Sequence, residues 1–422
     1  MRELSDIVIT GMGVITPIGI GCEEYWSSLQ VGRCGIAPLL DPPSADAPLY
    51  VGAALKNFDA KQYVTPRKAL KVMAAELQTA YSASRLAWQD AGLTDGSIDP
   101  DRVGVVFGAD VFSGELEDLV DAVRACSEDG HMQFERWGKT FPKTIAPLWM
   151  LKSLPNMPAC HVGIAVDARG PNNTIVLNEV SGLLALQEAA MIIQRGNADM
   201  MIVGATSSRT AASRLVYRHP ALFDTSSNQE DPYCMPYDRR RRGAVPGEGA
   251  GALVIESRDH AARRGARPLA RLASWSNRFQ PPTDKLGGSS AAITAAAQAA
   301  LTEAGIQPNQ LAHVCSQAFS HPSLDAVEAR GLQAAIGQTP VVGLSSYFGQ
   351  LGAGCGIVEL VGSVLSLNHG IALPTLGFHH SDPACPVRVL TQPETTDEKR
   401  YALKLNFTPH GQAAAVVIEC LN

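Results

Sequence analysis

No run of 18 or more apolar residues occurs anywhere in the 422-residue chain, so a membrane-spanning helix is not expected. A basic excess is missing as well. The 35 lysines and arginines are outnumbered by 41 aspartates and glutamates, and the formal charge of -6 argues against nucleic acid as the main partner. The nine cysteines (Cys22, Cys34, Cys126, Cys160, Cys234, Cys315, Cys355, Cys385 and Cys420) include no CxxC pair. That excludes zinc-type spacing and points to reduced, cytoplasmic usage, with small buried apolar residues as the plain role for most of them. The opening residues, MRELSDIVITGMGV, enter a strand at once and lack the long apolar core and cleavage site of a secretory signal. Low-complexity segments are also lacking, although 41–50 and 278–288 read as loops. What is present is 45% hydrophobic residues against 18% charged, enough for a large core. The length calls for two domains or one fused duplicate.

Short apolar runs at 7–10, 103–107, 200–204 and 252–256 are bounded by glycine or charge, as buried strands are. Between them, 71–92 is an alanine-rich helical pattern ending at Gly92. The stretch TIVLNEVSGLLALQEAAMIIQRG (174–196) reads as a strand that turns abruptly into a helix. Leu183, Leu186, Ala190 and Ile193 fall on one face of that helix, and Ala185, Ala189 and Ile192 on the adjoining one. Apolar nearly all round, it belongs in the middle of the protein. The second part repeats the grammar: an alanine-rich helix at 289–305, a strand at 313–316, a second buried helix (CGIVELVGSVLSLN, 355–368), and paired strands at 401–407 and 413–420. Strands alternating with helices in two similar parts predict a layered α/β fold with both faces of its sheets covered. The polar stretch at 257–267 marks the seam, dividing the chain into 1–257 and 258–422.

The opening VITGMGVITPIGIGCEEYWSSLQVGRCGI, the segment SLPNMPACHV before the strand-to-helix turn, and YDRRRRGAVPGEGAGALVIE closing the first half form a set in fixed order. Together these stretches resemble the β-ketoacyl-ACP synthase family. The resemblance runs along nearly the whole chain and implies the thiolase fold, two α/β halves forming a five-layered αβαβα core. It also implies where chemistry belongs: a nucleophilic cysteine at the strand-to-helix turn, and two histidines and a lysine assisting decarboxylation of malonyl-ACP. A thiolate there gains from the dipole at the helix N-terminus, and the histidines stabilise the enolate or oxyanion.

The sequence departs at each of these positions. Glu179 replaces the cysteine in NEVSG, with Ser181 and Gly182 still in register. Gln317 and Gln350 stand at the two histidine positions, and Ser345 at the lysine position. Asp325 and Glu328 match the family's acidic residues, while NFTPHG puts Thr408, Pro409 and His410 where the family has its glycine-rich gating loop. An acyl-glutamate would be a mixed anhydride prone to hydrolysis, and glutamines cannot accept and return protons at neutral pH. Autonomous condensation is therefore not expected. Ser181, His321, Pro409 and His410 remain as substrate-binding candidates, with a structural role for His321 and His410 as the plainer alternative.

Three readings follow. In type II polyketide and aryl-polyene systems of this family, an active ketosynthase pairs with a degenerate paralogue, the chain-length factor, which shapes the tunnel for the growing chain. The resemblance to that subunit implies a heterodimer with an active ketosynthase, in polyketide, aryl-polyene or fatty-acid-like biosynthesis, and engagement of acyl carrier protein. No cofactor or metal is implied beyond the carrier protein's phosphopantetheine arm. The second reading is an enzyme of altered chemistry, such as a malonyl-ACP decarboxylase, using Glu179. The third is a non-catalytic acyl-ACP-binding scaffold acting as a homodimer. Glu179 itself has a structural alternative: a first-turn carboxylate favoured by the helix dipole by about 0.3–1 kcal/mol, and held by the amides of Gln317 and Gln350 if buried beside them. Arg239–Arg242 reads as a source of structural ion pairs. Arg67, Lys68 and Lys71 sit where the family presents basic residues to the carrier protein, with a solvated helix face as the alternative.

Overall fold

The computed structural model describes residues 6–39, 51–110, 117–210, 220–226, 233–282, 287–396 and 398–421; the loop expected at 41–50 lies outside them. Ten strands carry the architecture. The first five are β1 (Ile7–Thr16), β2 (Val103–Gly108), β3 (Asn172–Ile175), β4 (Met200–Ser208) and β5 (Glu248–Ser257). The second five are β6 (Ala270–Phe279), β7 (Leu311–Cys315), β8 (Val341–Val342), β9 (Tyr401–Phe407) and β10 (Gln412–Glu419). The first group lies in the order β1-β5-β4-β2-β3 and the second in the order β6-β10-β9-β7-β8.

These two orders are the same permutation, first-fifth-fourth-second-third. Strand directions repeat too: the first, fifth and fourth strands of each group run antiparallel to their neighbours, and the remaining two pairings are parallel. Two chemically different sequences therefore form one topology twice, as a fused duplicate does. β1 and β6 pair over a short register, Ile7 with Leu272 and Ile9 with Ala270, and join both groups into one hydrogen-bonded path.

Six helices cover the strands: α1 (Ala75–Asp90), α2 (Met157–Val166), α3 (Ser181–Gln194), α4 (Ser290–Ala304), α5 (Pro322–Ile336) and α6 (Cys355–Asn368). α1 and α2 pack on the outer face of the first sheet, and α4, backed by α5, on the second. α3 and α6 touch each other and strands of both sheets, which makes them the central layer of an αβαβα stack. Their all-round apolar composition follows from that position. Leu183, Leu186, Ala189 and Ala190 of α3 and Ile357, Val358, Leu360 and Val361 of α6 are all buried in a single cluster. The alanine-rich surface of α1 has a matching cause. A Cβ at Gly11 or Gly13 of β1 would lie 2.2 Å from the Ala87 or Ala83 carbonyl, so the strand meets the helix backbone to backbone.

Boundaries differ from expectation where tertiary pairing overrides local composition. The loop expected from 278 onward begins later, because Arg278 and Phe279 still pair with Ala413 and Gln412. The pattern at 71–92 splits into a short 3-10 turn, Arg67–Val72, followed by α1. Between β5 and β6, at the expected seam, runs a six-residue helix, Arg258–Arg263. The arginine run behaves as read: Arg240 pairs with Asp238, Arg241 with Asp382, and Arg242 with Asp224. Among the described residues no helix is long and apolar enough to cross a membrane.

Candidate functional site

β3 does not pass directly into α3. A 3-10 turn, Asn178–Val180, intervenes, with Asn178 in the left-handed region at φ 57°. Ser181, the first residue of α3, accepts a hydrogen bond at Oγ from the Leu177 N–H at 2.8 Å and donates to the Ala109 carbonyl at 3.5 Å. Its hydroxyl thus closes the elbow on its own backbone. Glu179 sits inside this turn, fully buried, and Arg209 donates from Nη2 to its Oε1 at 2.5 Å. Both side chains are 0% exposed.

The expected amide partners are therefore not what holds Glu179. An arginine from the end of β4, 30 residues along the chain, takes that place. A buried carboxylate needs a full counter-charge more than it needs neutral donors. Burial pulls the Arg209 guanidinium down, but the Glu179 and Asp110 carboxylates beside it more than offset that and hold it above its ordinary value.

Gln317 and Gln350, both fully buried, bond to each other. Gln317 Nε2 donates to Gln350 Oε1 at 2.6 Å, and Gln350 Nε2 donates to the Gln317 and Ala318 carbonyls at 3.1 and 3.0 Å. Asn406 on β9 donates to Gln317 Oε1. Position 317 is also fixed through its backbone: Glu328 on α5 accepts from the Gln317 N–H at 2.7 Å and the Ala318 N–H at 2.9 Å, and from the Tyr237 hydroxyl at 2.8 Å. Ala318 and Ser320 both have positive φ, 50° and 62°, so this carboxylate stabilises an unfavourable turn. Asp325, one turn earlier on α5, accepts from the Tyr237 N–H at 2.9 Å; burial pushes its carboxyl up to about 7.

Ser345, at the expected lysine position, donates its hydroxyl to the Ala318 carbonyl at 2.5 Å and carries no charge into the site. A lysine nevertheless reaches the region from another strand. Lys404 on β9 is fully buried, ion-pairs with Glu359 on α6, and donates to the Ser316 carbonyl at 3.1 Å. Burial alone depresses its ammonium, but the neighbouring Cys315 and Glu359 bring it above the ordinary lysine value. Arg209, Lys404 and Tyr237 are the residues that sequence reasoning missed. The local signal for Arg209 and Lys404 is a long polar side chain at or beside an apolar strand, whereas Tyr237 lies in a turn ahead of the arginine run.

The remaining candidates separate. His321 caps α5: Nδ1 accepts from the Ser323 and Leu324 N–H groups at 3.2 and 3.3 Å, and Nε2 donates to the Ala221 carbonyl at 3.1 Å. Burial lowers its pKa, in keeping with this neutral tautomer. Its ring is committed to the helix end. Pro409 is buried in the turn between β9 and β10, where its carbonyl accepts from the Gly288 N–H at 3.1 Å. His410, next in the same turn, is exposed. Arg67, Lys68 and Lys71 are exposed on the turn before α1. Cys315 and Cys355 are buried, and burial raises both thiols, so neither is an available thiolate. Among the described residues no group of three or more histidine, cysteine or acidic side chains could hold a metal ion.

Comparison with known proteins bears on the fold and the family. The model of the β-ketoacyl synthase N-terminal domain matches residues 4–261, and that of the C-terminal domain residues 283–379. The 3-oxoacyl-[acyl-carrier-protein] synthase 2 of Synechocystis sp. is 30% identical over 396 residues, covering 91% of this chain and 90% of that protein. The synthase 2 of Staphylococcus aureus is 28% identical over 428 residues, 99% of each. Two solved structures show the same fold. A β-ketoacyl synthase from Burkholderia phymatum has a TM-score of 0.85 at 24% identity, over 99% of this chain and 100% of its own. The ishigamide ketosynthase/chain length factor has 0.86 at 20%, over 100% of both chains. With a duplicated five-strand topology, an elbow at the head of a central helix, and matches along both halves, the chain belongs to the β-ketoacyl synthase family.

Proposed function

We propose that this chain is a non-condensing ketosynthase subunit of the chain-length-factor type, which pairs with an active ketosynthase and shapes an acyl tunnel for carrier-protein-bound chains. The observation that carries this reading is the ion pair at the elbow. Position 179 has no nucleophile, and its carboxylate is neutralised by Arg209 in a site without solvent contact. The elbow is retained as architecture and emptied of acyl-transfer chemistry.

Three further observations support it. No side chain at 317, 345 or 350 can carry a proton to or from a substrate at neutral pH. Both amide hydrogens of Gln350 and one of Gln317 are already engaged within the protein, which weighs against the alternative of an enolate-stabilising decarboxylase. One edge of the sheet suits such pairing. Among the described residues β3 ends the sheet, and Ile164 of α2 and Leu177 beside β3 are 78% and 41% exposed. An edge strand flanked by exposed apolar side chains suits a second ketosynthase-fold subunit. The exposed Arg67, Lys68 and Lys71 suit an acidic carrier protein.

Co-expression with a ketosynthase from the same gene neighbourhood tests the proposal. A stable one-to-one complex that elongates acyl-ACP, when neither subunit does so alone, is the expected result. Ile164→Asp should break the complex and leave the fold intact. A homodimer indifferent to every such partner would contradict it.

A further inference from the structure

The turns that open the two central helices, one from each half, lie against each other: Asn178–Val180 before α3 and Gly352–Gly354 before α6. Arg209 runs between them. Its Nη2 holds Glu179 on one side, and on the other a Cβ added at Gly352 would lie 2.5 Å from Arg209 Nε, 2.9 Å from Nη2 and 2.7 Å from Ser207 Oγ. Gly352 also has φ 57°, so both space and backbone favour glycine there. Close by, a Cβ at Gly182 would stand 3.0 Å from the Ala353 carbonyl. The guanidinium thus fills the contact between the two helix heads. Its Nε and Nη1 are buried with no hydrogen-bond partner among the described residues. Packing and the Glu179 and Asp110 carboxylates are what hold it there.

We infer that Glu179 and Arg209 form a stopper that closes this chain's own elbow to thioester ligands, so that an acyl-pantetheine arm cannot reach the head of α3. The inference rests on the non-condensing reading and adds a physical device to it. Losing a nucleophile leaves an empty pocket, which could still accept an acyl group and divert it from the partner's site. A large, neutralised ion pair wedged across the turn removes the pocket itself. Charge matters less than volume here. A carboxylate alone would be costly in a dry site, so the arginine supplies both the counter-charge and most of the bulk.

The probe for this inference is pantetheine carrying a hexanoyl chain in amide linkage, titrated against the full chain and against E179A/R209A. The wild type should show no binding at the elbow, and the double variant, with the wedge removed, should bind at least about ten-fold more tightly. E179Q/R209M, neutral but of similar volume, should stay closed. A second reading needs no variant. Cys355 heads α6 beside this contact, and its thiol donates to Gln350 Oε1 at 3.6 Å. In the wild type, peptide-resolved alkylation by iodoacetamide should spare Cys355 while exposed Cys34 reacts. Cys355 labelling as fast as Cys34 in the folded wild type, or probe binding to wild type and E179A/R209A alike, overturns the stopper. Such a result leaves the non-condensing reading standing, because that reading is tested separately by the turnover of malonyl-ACP and acyl-ACP.

Discussion

Gln317 donates its side-chain amide to Gln350 Oε1 at 2.6 Å, and Gln350 returns its own amide to the Gln317 and Ala318 carbonyls. Two residues at the positions that the resemblance assigns to histidines form a closed hydrogen-bonded pair. Their groups satisfy the protein interior and each other, and the pair bridges the loop at 317–320 to the segment that leads into α6.

Gln350→Leu should therefore act on stability. It strips an acceptor from Gln317 and a donor from two buried carbonyls, and leaving such groups unmade costs about 1–3 kcal/mol. Urea denaturation should show that loss at an unchanged m-value. A Gln350→Leu protein as stable as the wild type would mean that the pair is dispensable.

Arg209→Met should be more severe, because it removes the guanidinium that pairs with the buried Glu179 carboxylate; breaking a buried pair costs about 3–5 kcal/mol. Adding Glu179→Gln should recover part of that loss, since the Glu179 charge is then gone as well, while the Asp110 carboxylate beside position 209 remains. The double-mutant cycle should give a large coupling energy, whereas additive effects would deny the ion pair its structural role.

Asp325 gives a pH dependence. Its carboxyl is raised from 3.8 to about 7 by burial, so the folded state holds a proton that the unfolded state has released between those values. Stability from this group is complete below pH 3.8 and is lost as pH rises toward 7, by at most about 1.4 kcal/mol per pH unit. Asp325→Asn should flatten that decline. Parallel stability curves for the two proteins from pH 4 to 7 would refute the assignment.

At the start of α5, His321→Ala should cost about 1 kcal/mol through loss of a helix cap, and His321→Asn should restore most of it. Both variants should pair with the ketosynthase partner as the wild type does. A defect in product formation without a change in melting temperature would instead make His321 a tunnel residue.

The central layer was legible in the sequence because it depends on composition alone: a helix apolar on every side has one place to go, and α3 and α6 lie there. The elbow was legible as well, since β3, the turn and α3 follow each other directly along the chain. Its electrostatics were not. Glu179 meets Arg209 across 30 residues, and Glu359 meets Lys404 across 45, with no local pattern linking either pair. Position 345 carries a serine, and the ammonium that does reach the region, from Lys404, enters from β9, which only the strand order makes possible. Motif position located the site; the pairing of its charges required the fold.

A chemically silent elbow is tested most directly by the turnover of malonyl-ACP and acyl-ACP by the purified chain, followed by intact-protein mass and carbon dioxide release, with Glu179→Gln/Arg209→Met alongside. No acyl adduct on the chain and no release above the enzyme-free background are expected for either protein. Decarboxylation or acyl transfer by the wild type that disappears in the double variant would contradict the non-condensing reading, and would make Glu179 a catalytic residue.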